Sequence, residues 1–196
     1  MNNNGLLLIF SGPSGAGKGT VLKELLNGND NMKLSVSATT RTPREGECHG
    51  VHYFFMTKEE FEEQIANGQM LEHAEYCGKY YGTPSSQIMD WIEEGRDVVL
   101  EIRPVGSGGR AGVFVLPPSI EELEKRLRYR NTEDEETIQK RLAVARQEME
   151  TARDYDYVIV NDTIEHTVEQ INKIIAAEKL KVSRAKSNIE RVLNND

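Results

Sequence analysis

The chain has 196 residues and a formal net charge of −8, which suits one substantial core with insertions. That charge argues against a broad nucleic-acid surface, which needs a basic excess. Two cysteines, Cys48 and Cys77, are too few for a disulfide scaffold and lack metal-ligand spacing, so ordinary reduced thiols are expected.

The apolar runs are strand-length rather than membrane-spanning, and the opening residues lack the basic segment of a secretion signal. A soluble cytoplasmic protein is the expectation. The first run, LLLIF at 6–10, reads as a buried parallel strand. A glycine-rich turn follows, then VLKELL at 21–26 with helical spacing, stopping at Asn27 and Gly28. Gly12, Gly15 and Gly17 let successive backbone N–H groups turn inward, and with the next helix N-terminus they form a cradle for phosphate oxygens. Lys18 adds a positive charge for the outer phosphates. The pattern Gly12-x4-Gly17-Lys18 is a phosphate-binding loop with one departure. Gly19 stands where a magnesium-holding hydroxyl usually falls, so Thr20 or water would have to hold the metal.

Residues 33–37 alternate like a strand, and the polar stretch 38–47 places Arg41 and Arg44 close together in a loop. Arginine forks suit phosphate, although such a loop can equally be a solvated linker. Residues 51–55 read as another strand. Thr57 and Glu60 form a capping box, stapled by Met56 and Phe61, for a helix to about residue 66. Residues 71–76 and 79–81 flank Cys77 and Gly78 as a hairpin. Thr83 and Pro84 are expected to cap and open the next helix, which carries Ile88, Met89, Trp91 and Ile92 and ends at Gly95.

Residues 97–102 and 113–116 read as core strands. The glycine-rich link between them is about ten residues, short for a parallel crossover. Capping boxes at Ser119 and Thr132 predict helices to about 128 and about 152. These carry Arg126, Arg128, Arg130, Arg141 and Arg146 among many glutamates, a pattern that by itself is ordinary surface pairing. Residues 157–160 form the last strand. A final helix is expected over 163–193, bent near 182–183 and polar beyond Lys179.

Seven segments in order then carry a family resemblance: SGPSGAGK at 11–18, SVSATTRTPR at 35–44, GVHYFF at 50–55, YYGT at 80–83, DVVLEI at 97–102, LPPS at 116–119 and VIVND at 158–162. Together they make the chain resemble guanylate kinase over nearly its whole length. The resemblance implies an α/β fold, a three-layer P-loop NTPase core with a mostly parallel sheet, a strand-rich NMP-binding insertion and a helical lid. The implied division is a core of 1–32, 84–128 and 154–196, a GMP-binding insertion of 33–83 and a lid of 129–153. It implies transfer of the γ-phosphoryl group of ATP to GMP, giving ADP and GDP in purine nucleotide metabolism, with Mg²⁺ accompanying ATP. Gly12, Pro13, Ser14, Gly15, Ala16, Gly17, Lys18, Gly19 and Thr20 would surround the ATP phosphates, with Asn161 near the adenine. Arg41, Arg44, Tyr53 and Tyr81 would bind the phosphate of GMP, while Ser37, Glu72 and Thr83 would read guanine. Lys18, Arg130 and Arg141 would supply charge to the transferring group. No nucleic-acid or membrane partner is implied.

One segment departs from the family. After Glu101 and Ile102 the usual Asp-Val-Gln-Gly-Ala is replaced by Arg103-Pro-Val-Gly-Ser, and the segment is shorter. Arg103 inverts the charge at that aspartate position. An impaired, guanylate-kinase-like binding module is therefore the alternative, and a kinase of the same fold acting on another small phosphorylated substrate is a third reading.

Overall fold

The computed structural model describes residues 5–76, 78–102, 111–129, 134–184 and 186–194. Among the described residues the central sheet has five strands: β1 (Leu7–Ser11), β2 (Met32–Leu34), β7 (Asp97–Glu101), β8 (Ala111–Leu116) and β9 (Tyr157–Val160). Their order is β2-β7-β1-β8-β9, and every pairing is parallel. Alternation along β1 divides the core. Leu8 and Phe10 pack with Val21, Leu22 and Leu25 of α1 (Lys18–Asn27) and Ile171 and Ile175 of α6 (Ile164–Lys179). Ile9 faces the other way, with Val98 and Leu100, onto Ile88 of α3 (Ser86–Glu93). Helices on both faces of a parallel sheet give the three layers expected of buried, near-continuous apolar strands.

A second sheet, ordered β4-β3-β6-β5, holds β3 (Ala38–Thr39), β4 (Phe54–Phe55), β5 (Met70–Tyr76) and β6 (Lys79–Pro84). The strand expected over 33–37 is divided between the sheets: Met32 to Leu34 pairs with β7, and Ala38 and Thr39 pair with β4 and β6. Similarly, only Phe54 and Phe55 of the stretch 51–55 are extended in a ladder, because Val51 and His52 bond back to the Cys48 carbonyl as a turn. The hairpin forms as expected. Helix α2 (Lys58–Ala66) also carries its full capping box, with the Thr57 side chain accepting from Glu60 N–H and Glu60 accepting from Thr57 N–H.

Three boundaries differ from the sequence expectation. Thr83 and Pro84 do not open a helix but end β6, since Thr83 pairs across the hairpin with Glu72 and Pro84 with Met70. Helix α3 starts instead after Ser85. Helix α4 (Ile120–Tyr129) begins as expected, with Ser119 Oγ accepting from Glu122 N–H at 3.1 Å. Helix α5 (Glu135–Glu150) is capped by Asp134, whose carboxylate accepts from Thr137 N–H at 2.8 Å; Thr132 lies outside the described residues. Finally, α6 stops at Lys179 and a separate α7 (Lys186–Asn194) follows. Lys179 Nζ donates to the buried Asp97 carboxylate at 2.6 Å, and the same carboxylate accepts Leu6 N–H at 3.0 Å. The apolar face of α6 therefore ends on an ion pair that clamps it to the edges of β1 and β7.

Candidate active site

The phosphate loop joins β1 to α1. Gly12 has φ 149°, and a Cβ there would sit 2.3 Å from the Val115 carbonyl oxygen. Gly17 has φ 88°, and its Cβ would approach Asn161 Nδ2 to 2.6 Å. Both positions therefore require glycine for space as well as for backbone conformation. Lys18 is the first residue of α1 and folds over the loop, donating to the carbonyl oxygens of Gly12 at 2.7 Å and Pro13 at 3.3 Å. From α5, Arg141 reaches across and donates to Ser14 Oγ at 2.6 Å. Arg130 lies outside the described residues. Arg128, in the last turn of α4, binds both Glu124 and Glu135 and so ties α4 to the start of α5.

Asn161 is nearly buried and braces the loop. Its amide donates to the Ala16 carbonyl at 2.7 Å and its oxygen accepts from Thr167 Oγ1 at 3.0 Å. Arg126 adds bonds to Ala16 O and Asn161 O at 3.4 and 3.3 Å. Sequence reasoning passed over Arg126 because its (i, i+4) pairing with Glu122, 3.0 Å here, is the pattern of a solvated helix face. Gly15, Gly17, Thr20, Arg126 and Asn161 share the wall of an open cleft of about 440 Å³ beside the loop. Gly19 is exposed, with open space around it.

On the other side of Lys18, a cleft of about 870 Å³ runs between the loop, the end of β2 and α5. Gly12, Ser14, Lys18, Ser37, Tyr53 and Glu101 line it, and Thr137, Lys140 and Arg141 of α5 form its far wall. Thr20 is not among its lining residues, whereas Glu101 is. Among the described residues no group of three or more His, Cys, Asp or Glu could hold a metal ion. That donor set fits Mg²⁺ only as an ion held chiefly by phosphate oxygens and water, the usual arrangement for a nucleotide-bound Mg²⁺.

Ser37, Tyr53, Tyr76, Glu101 and Ile102 also line an adjoining cavity of about 280 Å³. There the smaller sheet gathers Arg41, Arg44, Glu72 and Tyr81. The Arg41 guanidinium lies 5.4 Å from the Tyr53 ring centroid and 5.6 Å from that of Phe55. Tyr53 and Tyr81 meet edge to face at 6.3 Å. Burial pushes the Tyr53 phenol above its usual range. Thr83 is fully buried and does not line the cavity; its hydroxyl donates to Glu72 Oε1 at 2.5 Å from directly across the hairpin. The expected residues therefore converge, with Thr83 standing behind Glu72.

The guanylate kinase family model matches residues 4–178. The chain belongs to the guanylate kinase family. A guanylate kinase of Clostridioides difficile (strain 630) is 52% identical over 192 residues, covering 94% of each chain. One from Desulfitobacterium hafniense (strain Y51) is 49% identical over 189 residues, covering 93% of this chain and 94% of the relative. The crystal structure of guanylate kinase from Anaplasma phagocytophilum aligns with a TM-score of 0.72 at 35% identity, covering 93% of this chain and 90% of that one. No helix among the described residues is long and apolar enough to cross a membrane.

One residue of this cavity had no place in the sequence reading. Glu47 grips Arg41 with both oxygens, at 2.8 and 2.9 Å, and accepts Arg44 N–H at 2.7 Å. The Arg41 guanidinium, and secondarily the Arg44 amide, hold its carboxyl down at about 2. A carboxyl with a depressed pKa stabilises the folded state in its ionised form. Its contribution is complete above the ordinary value of 4.5 and is lost as pH falls through about 2. Carboxyl NMR of labelled glutamate should show a midpoint near 2 for Glu47, returning toward the ordinary value in Arg41→Ala.

Proposed function

We infer that this member of the guanylate kinase family transfers the γ-phosphoryl group of ATP to GMP, releasing ADP and GDP. The observation that carries the reading is the shared wall. Ser37, Tyr53 and Glu101 line both the cleft beside Lys18 and the cavity beside Arg41, so donor and acceptor phosphates can meet across it. The phosphate loop and Lys18 bind the ATP phosphates, and Arg141 from α5, with Arg130, offsets charge on the transferring group. Arg41, Arg44, Tyr53 and Tyr81 hold the GMP phosphate. Glu72, kept oriented by the Thr83 hydroxyl, accepts from guanine N1–H and the exocyclic amine, a pair of donors adenine does not present; Ser37 stands beside it. Asn161 acts on the adenine side mainly by holding Ala16 in place.

In the reaction a GMP phosphate oxygen bonds to the γ-phosphorus as the bond to the bridging oxygen of ADP breaks. The attacking oxygen is already anionic, so no general base is required. The protein's work is in-line positioning and charge stabilisation. Mg²⁺ arriving with ATP would supply further positive charge, with Glu101, which lines both cavities, as a water-mediated partner. Free nucleotides as both substrates make the cytoplasm the proposed location.

ADP release from ATP and Mg²⁺ should depend on GMP and not on AMP. GMP binding by calorimetry without turnover would instead support the non-catalytic module suggested by the altered segment after Ile102. Nothing among the relatives favours that module.

A further inference from the structure

We propose that Glu47 is a positioning residue for the acceptor-phosphate site, fixing the side chain of Arg41 and the backbone of Arg44 in one arrangement. This rests on the reading that those arginines bind the GMP phosphate. A carboxylate beside two arginines is, on charge alone, unfavourable for a phosphate site, because it removes one of two positive charges and repels the incoming dianion. Its geometry offers the compensation. Arg41 has five N–H donors. Nη1 donates to Glu47 Oε2 and the Thr42 carbonyl, and Nη2 donates to Glu47 Oε1. These three bonds fix the plane of the guanidinium, and the Tyr53 and Phe55 rings flank it. Nε–H and one N–H of Nη2 take no part in these three bonds, and Arg41 lines the cavity together with Tyr81.

Glu47 also closes the turn that carries Arg44. It accepts Arg44 N–H at 2.7 Å, and its own N–H donates to the Arg44 carbonyl at 3.1 Å. The pair is well shielded, with side chains only 15% and 18% exposed for Arg41 and Glu47. A long side chain that would otherwise sample many rotamers is thus ordered before the ligand arrives, so less freedom is lost on binding.

The test is steady-state kinetics of Glu47→Ala and Glu47→Gln, alone and combined with Arg41→Ala. Glu47→Ala should raise KM for GMP about tenfold or more, the scale of one weakened charge-assisted hydrogen bond. Its kcat should stay within about threefold, and KM for ATP should not move. Glu47→Gln keeps the length and one acceptor oxygen and should fall between wild type and alanine, which covers the case of a poorly folded alanine variant. With Arg41 already alanine, removing Glu47 should raise KM for GMP far less, since only its hold on the Arg44 turn then remains and its repulsion of the phosphate offsets that. The proposal is overturned if Glu47→Ala leaves KM for GMP unchanged or lowers it, which would make the carboxylate a competitor. It is also overturned if the rise is the same with and without Arg41, which would be a loop effect. If Arg41→Ala alone leaves KM for GMP unchanged, the phosphate-site reading fails and takes this proposal with it, a result distinct from the others.

Discussion

Replacing Lys18 with alanine lowers kcat for GMP phosphorylation by about a hundredfold or more, the scale of losing one preorganised charge at a phosphoryl-transfer centre. The ammonium is held over the loop by the carbonyls of Gly12 and Pro13, so its position is set before nucleotide enters. No other cation comes from the loop itself, because residues 11–20 contain one lysine and no arginine. Lys18→Arg should fare little better, since a planar fork does not replace a compact ammonium in so tight a turn. Coupled-assay kinetics check the loss, and circular dichroism checks that the fold survives. Because Lys18 opens α1 with a partly solvated side chain, the substitution removes charge rather than core packing. A variant retaining wild-type kcat would remove Lys18 from the chemistry.

Replacing Glu72 with glutamine lowers kcat/KM for GMP by about a hundredfold or more and narrows the preference for GMP over AMP. A site that hydrogen-bonds a ligand's donors discriminates strongly once its acceptor is gone. In glutamine an NH₂ replaces one carboxylate oxygen, so one guanine donor faces another donor. The Thr83 hydroxyl, now donating to Glu72 Oε1, competes for the single oxygen left. Parallel initial rates with GMP and AMP measure the change. Unchanged GMP kinetics would remove the guanine-reading role from Glu72.

The contiguous features were open to reading in the sequence. The strand, glycine turn and lysine of residues 6–18 declare a phosphate loop because the chemistry needs them side by side. The Thr57–Glu60 capping box and the hairpin around Gly78 are equally local, and both form. Strands β1, β7 and β8 could be found because a parallel strand buried on both faces is apolar nearly throughout. Family resemblance then supplied roles that spacing alone left open, such as those of Arg41, Glu72 and Tyr81.

What the tertiary structure decided are the contacts between distant residues. Thr83 followed by Pro84 satisfies the local rule for a helix start, yet pairing with Glu72 and Met70 holds both in a strand. Asn161 reaches Ala16 across 145 positions, and Lys179 reaches Asp97 across 82. Glu47 was one acidic residue in a polar loop until folding aimed both of its oxygens at Arg41. Local propensity and spacing report on a few neighbouring residues. The partner that satisfies a buried amide or orients an arginine is fixed only when the sheet order brings remote segments together.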